Sequence, residues 1–148
     1  MEYIGLAMLH TYINGAIADL KALIELTQLD NADIQIANHE AIFERLDQKN
    51  TLVKAFEDKK SLIQQEMLIL CNKNPHKSLQ DLLDEETNNL LDIMRDTLSE
   101  LKTINSNYAR SVFAVSEFYN SLIQRVIPHE NDGYDQHRQQ SHLLKIQA

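Results

Sequence analysis

The chain reads as an all-α protein, an elongated antiparallel three-helix bundle with a long coiled-coil hairpin, and three observations predict it. Among 148 residues there are 3 Gly and 2 Pro, too few for the many turns of a β-sandwich or barrel. The aliphatic set is 21 Leu and 14 Ile against 4 Val, with no Trp, a composition far from β-branched alternation. Apolar residues also recur at steps of three and four through three long stretches. At 43% hydrophobic the chain can fill a core, and its length is about one domain, taken as residues 1–127 with 128–148 as a flexible tail.

The first stretch, from Glu2 to about Leu29, places Leu6, Leu9, Ile13, Ala16, Leu20 and Leu23 on one face, with Ile17 and Ile24 beside them. Gly5 and Gly15 inside it each cost about 1 kcal/mol relative to Ala, which points to close helix packing. Asp30-Asn31-Ala32-Asp33 offers three capping side chains and predicts a stop and a restart. From Asp33 to Cys71 one seam runs Ile42, Leu46, Lys49, Val53, Phe56, Lys60, Ile63, Met67, Leu70 in strict 4,3 alternation, the pattern of a coiled coil. Lys49 and Lys60 interrupt it, and polar seam residues lower stability while fixing register.

Residues 72–77, with Pro75, predict the one clear interhelical loop, and Ser78 with Asp81 predicts a capped short turn through Leu83. The last helix is expected from about Glu85 to Ile127, stopped by Pro128, on the seam Leu90, Met94, Thr97, Leu101, Ile104, Tyr108, Ser111, Val115, Phe118, Leu122. Its acids gather at the start and its bases towards the end, matching the helix dipole. On this pattern the first helix is too short to cover the hairpin along its whole length. Residues 129–148 carry polar residues and a small apolar island at Leu143, Leu144 and Ile146.

Charge excludes several functions. The formal charge of −8 comes from 22 acids and 14 bases, and neither half of the chain is a nucleic-acid-binding arm. Lys49, Lys54, Lys59 and Lys60 alternate with Asp47, Glu57 and Asp58, as on a solvated helix face. With no basic leader and no apolar run of about 20 residues, a cytoplasmic protein without membrane insertion is expected. Cys71 among Met67, Leu68 and Leu70 predicts a buried, inert thiol.

No catalytic residue, cofactor or metal site is expected. Glu-x-x-His pairs of di-iron bundles are absent from the sequence, and so is a Gly-rich phosphate loop. His39, followed by Glu40 and Ala41-Ile42-Phe43, lacks the small and basic neighbours of a phosphotransfer site. His129, His137 and His142 have no register to converge on a metal, and Asp81, Asp84, Glu85 and Glu86 lack calcium-loop spacing and read as first-turn charge.

The segment Glu100-Leu101-Lys102-Thr103-Ile104-Asn105-Ser106-Asn107-Tyr108-Ala109-Arg110-Ser111-Val112-Phe113, followed by Phe118 and Leu122-Ile123, resembles the last helix of the FlgN family of flagellar type III export chaperones. The break at Leu29 to Asp33, the Lys/Glu-rich stretch from Lys54 to Lys60 and the Leu-rich turn from Leu79 to Leu83 fill the family's order, so the resemblance covers roughly residues 4–127. It implies a cytosolic chaperone that holds the hook-filament junction proteins FlgK or FlgL by their terminal helices and delivers them to the export gate protein FlhA. It also implies gate docking by a tyrosine near the C-terminus. Tyr134, between Gly133 and Asp135, is the candidate, although here the Gly precedes the Tyr.

For the client groove, Val112, Val115, Phe118, Tyr119, Leu122, Ile123 and Val126 form two adjacent apolar stripes, more than one two-stranded seam consumes. The alternative for the second stripe is burial under the first helix. The competing functional class is a self-assembling structural coiled-coil protein without a client, although this chain breaks its register twice. Client identity and oligomeric state leave no readable motif.

Overall fold

The computed structural model describes the backbone of residues 2–126 and the side chains of residues 5–125. The expected end of the last helix at Ile127, the tail of residues 128–148 and Tyr134 within it lie outside the described residues. Four helices appear in order, α1 (Glu2–Gln35), α2 (His39–Lys73), α3 (Leu79–Leu82) and α4 (Glu85–Val126), with no strand among the described residues. The protein is all-α. None of these helices is long and apolar enough to cross a membrane.

The largest departure from the sequence pattern is the end of α1. Asp30 to Asp33 does not break the helix, which continues to Gln35, so α1 has 34 residues against 35 in α2 and 42 in α4. The helices are about 51, 53 and 63 Å long, and α1 is not the short helix expected. The stop lies at Ile36-Ala37-Asn38, where Asn38 N–H donates to Asp33 C=O (2.8 Å) and Ala37 N–H to Ile34 C=O (3.2 Å). That pair of bonds is a Schellman cap, and Ala37 takes its left-handed position with φ 57°. Glycine is the usual residue there, and its absence hid the stop. Asn38 then starts α2, its side-chain oxygen accepting from Ala41 N–H at 3.5 Å.

The cap of α3 and the start of α4 follow the sequence. Ser78 Oγ accepts from Asp81 N–H at 3.3 Å and caps α3. Asp84 Oδ1 accepts from Thr87 N–H at 2.8 Å and caps α4, with Glu85 and Glu86 in its first turn and Arg125 in its last.

The chain divides into two compact units. The first comprises Met1–Leu23 and Thr51–Leu101; the second comprises Ile24–Asn50 and Lys102–Ala148, described up to Val126. In the first unit, the buried apolar residues are Leu9, Ile13, Ala16, Ile17, Leu20 and Leu23 of α1, Phe56, Ile63 and Leu70 of α2, Leu83 after α3, and Leu101 of α4. Lys59 reaches Asp19 at 2.6 Å from a half-buried position. A Cβ on Gly15 would meet the Lys59 side chain at 2.8 Å, whereas one on Gly5 would meet nothing closer than 3.9 Å. Close packing therefore explains Gly15 and not Gly5. Cys71 is half-buried rather than buried.

In the second unit, Ile34, Ile42, Tyr108 and Val112 form a core cluster with Val115 against it. Within this unit the buried face of α1 continues through Thr27 and Asp30, which are 0% and 1% exposed. The four lysines of the expected solvated face separate as well. Lys49 is buried in the second unit; in the first, Lys59 is paired with Asp19, Lys60 pairs with Glu57 at 2.9 Å, and Lys54 is exposed.

Candidate docking groove

In the second unit, two cationic side chains converge on Asp30. Arg45 Nη1 and Lys49 Nζ each lie 3.0 Å from a separate oxygen of its carboxylate, and Arg45 also pairs with Asp33. Burial alone would lower the Arg45 pKa, but hydrogen bonds and charge from Asp30 and Asp33 outweigh it and hold it above its ordinary value. Lys49 Nζ sits 5.4 Å from the centre of the Tyr108 ring, within cation–π range. Burial, helped by the Asp30 charge and opposed by Arg45, pushes the Tyr108 hydroxyl up to about 12. A buried carboxylate with two cations is satisfied only when all three side chains are present.

Beyond Tyr108 the buried stripe of α4 changes register. The expected seam continues through Ser111, Val115, Phe118 and Leu122, but the buried positions are Val112, Ser116 and Asn120, in steps of four. Each step of four turns 40° past a full turn, so the stripe rotates away from the seam. Ser116 and Asn120 are 3% and 6% exposed, while Phe118 is 63% exposed and Tyr119 and Leu122 are 39% each. Asn120 Oδ1 has no hydrogen-bond partner among the described residues. At this end of α4, polar residues lie inside and aromatic and aliphatic residues outside.

The outward residues line two adjoining grooves that share Ala114 and Phe118. One, of about 430 Å³, lies between Ile34 and Ala37 at the end of α1 and Arg110, Val115 and Tyr119 of α4. The other, of about 390 Å³, is bounded by Glu117, Ser121, Leu122 and Arg125. His39 approaches from α2 with its ring 6.5 Å from that of Tyr119, and Phe118 packs edge-on to Tyr119.

The candidate client residues therefore separate. Val112, expected on the groove, is core at 1% exposure; Val115 is half-buried and serves both core and groove; Phe118, Tyr119 and Leu122 are exposed; Ile123 is half-buried. The side chain of Val126, like Tyr134, lies outside the described residues. The sequence pattern missed Ile34, Ala37 and Arg110 as groove residues, because only the extension of α1 past Asp30 carries Ile34 and Ala37 there. It also missed the exposed Leu62, Leu68 and Ile69 of α2 in the first unit.

In the first unit, His10, Asp84 and Glu86 bring metal-ligand atoms within 4.8 Å of one another, a grouping across 74 positions of sequence that no spacing rule detects. Hydrogen bonds from the Thr87 side chain and backbone, with a further one from His10, hold the Asp84 carboxyl below its ordinary range against the opposing effect of burial.

No protein-family model, curated protein or solved structure matches the chain.

Proposed function

We propose that the chain is a cytoplasmic export chaperone of the FlgN type, not an enzyme. In this reading the second unit holds the terminal helix of a hook-filament junction protein, FlgK-like or FlgL-like, in the groove along Ala114, Phe118 and Leu122. The observation that supports it is the inversion on α4, with Ser116 and Asn120 buried and Phe118, Tyr119 and Leu122 exposed. Exposed aromatic and aliphatic residues beside a groove are where an amphipathic helix lays its apolar face. Delivery to an FlhA-like export gate is assigned to residues 128–148 through Tyr134.

The proposal takes α1, α2 and α4 as an antiparallel three-helix bundle with α2 and α4 as a coiled-coil hairpin. Pairings within each unit agree with opposite directions of α1 and α2. Asp30 meets Arg45 and Lys49 in the second, and Asp19 meets Lys59 in the first.

Calorimetric titration with a synthetic peptide of a FlgK-like terminal helix tests the reading. Phe118→Glu should weaken binding by tenfold or more with an unchanged melting temperature, because the ring is largely in water. Unaltered affinity would sink the groove assignment. Tyr134→Ala should spare the peptide and impair gate docking; the reverse result would move Tyr134 into the client site.

A further inference from the structure

In the second unit, residues of α4 that line the two grooves fall on one line. Counted from Arg110, Ala114, Phe118, Ser121 and Arg125 follow at steps of four, four, three and four. At about 100° per residue all five positions lie within an arc of about 80°, so the stripe through Ala114 and Phe118 has an arginine at each end. Fifteen residues of helix set the two arginines about 22 Å apart along the axis.

Neither arginine is used by the fold. Arg45 pairs with Asp30 and Asp33, and Arg95 with Asp92, whereas Arg110 and Arg125 are exposed and have no ion-pair partner among the described residues. The surplus charge of the chain is negative, 22 acids against 14 bases, so two unpaired cations bracketing one apolar stripe set this face apart. Glu117 lines the second groove but is already engaged. A free guanidinium receives a carboxylate through two parallel N–H···O bonds, which makes arginine a common anchor of docking surfaces.

Charge also sorts the occupants. A second copy docked through the same stripe would set arginine against arginine in either direction. Residues 136–148, which hold the apolar Leu143, Leu144 and Ile146, carry Arg138 and Lys145 and no acid. Both occupants bring like charge to the stripe, which opposes docking. An amphipathic helix of another protein, with a carboxylate at each end of its apolar face, satisfies Arg110 and Arg125 together.

Resting on the docking reading, we infer that the occupant is an acidic amphipathic helix of a partner protein. Its apolar face lies on Ala114 and Phe118, and two carboxylates about 15 residues apart pair with Arg110 and Arg125.

Calorimetric titration of the full-length chain with two synthetic helices provides the test. The helices share one apolar stripe and differ only in carrying Glu or Lys at two positions fifteen residues apart, matched to Arg110 and Arg125. The Glu helix should bind about tenfold or more tighter, with an advantage that falls as salt is added. Arg110→Glu combined with Arg125→Glu should reverse the preference at an unchanged melting temperature, since both side chains are exposed. Phe118→Ala should weaken both helices alike. If the two helices bind equally and Phe118→Ala weakens both, the docking groove stands and the acidic partner is refuted. Binding of neither helix refutes the groove as well. Self-association of the chain that Phe118→Ala abolishes would assign the stripe to a second copy, and displacement of the Glu helix by a peptide of residues 136–148 would assign it to the end of this chain. Either result overturns the proposal.

Discussion

The two units draw on the same three long helices and solve burial differently. The first keeps charge at the margin, where Asp19 and Lys59 pair with side chains 14% and 32% exposed around an apolar core. The second places Asp30 and Lys49 inside, with side chains 1% and 3% exposed, and then buries Ser116 and Asn120 as well. A partly exposed pair can be lost with little consequence, because water replaces each partner. A buried one cannot, since the surviving charge has nowhere to go. The second unit therefore gives up apolar burial for a charged contact between α1 and α2, and it carries the two grooves along Ala114 and Phe118.

The contrast is sharpest in a pair of truncations. Asp30→Ala should destabilise the chain by about 3–5 kcal/mol, leaving the buried Lys49 without its carboxylate while Arg45 keeps Asp33, whereas Asp19→Ala should cost about 1 kcal/mol or less. Urea denaturation of both variants checks this. Equal costs would mean that the buried cluster has no special hold on the second unit. Replacing Asp30 and Lys49 together by Leu and Met should recover most of the loss.

Alkaline pH should act through the second unit next. Tyr108 titrates near 10 in the unfolded chain and at about 12 in the fold, because burial disfavours the phenolate. A raised folded pKa gives stability that is complete below pH 10 and disappears as pH rises from 10 through 12. The loss amounts to roughly 3 kcal/mol. Denaturant midpoints for the parent and Tyr108→Phe across that range should diverge; parallel curves would show that Tyr108 reaches solvent.

Backbone positions give the smallest effects, one in each unit. Ala37→Gly should stabilise the second unit by about 0.5–1 kcal/mol, because φ 57° costs alanine and not glycine. Gly15→Ala in the first unit should change stability by less than about 1 kcal/mol. Its gain in helix propensity is set against displacing the flexible end of Lys59 from Asp19. Thermal melts suffice for both. A large loss in Gly15→Ala would mean that Lys59 cannot give way.

The sequence by itself determined the helical class, the loop after Lys73, the Ser78 cap and the start of α4. Each of those rests on interactions within a few residues, where spacing and capping chemistry act directly. Of the expected α2 seam, Ile42, Lys49, Phe56, Ile63 and Leu70 are buried, whereas Val53 is exposed. The tertiary structure decided the rest. Asp30 to Asp33 resembles a capping cluster because an isolated carboxylate belongs near a helix end, and only Arg45 and Lys49, arriving from α2, allow the helix to run through it. Val112 and Phe118 carry the same apolar signal in sequence, and the rotation of the buried stripe through Ser116 and Asn120 sends one inward and the other outward. His10 meets Glu86 across 76 positions. Local propensity is blind to such pairings, since their free energy exists only once distant segments have been brought together.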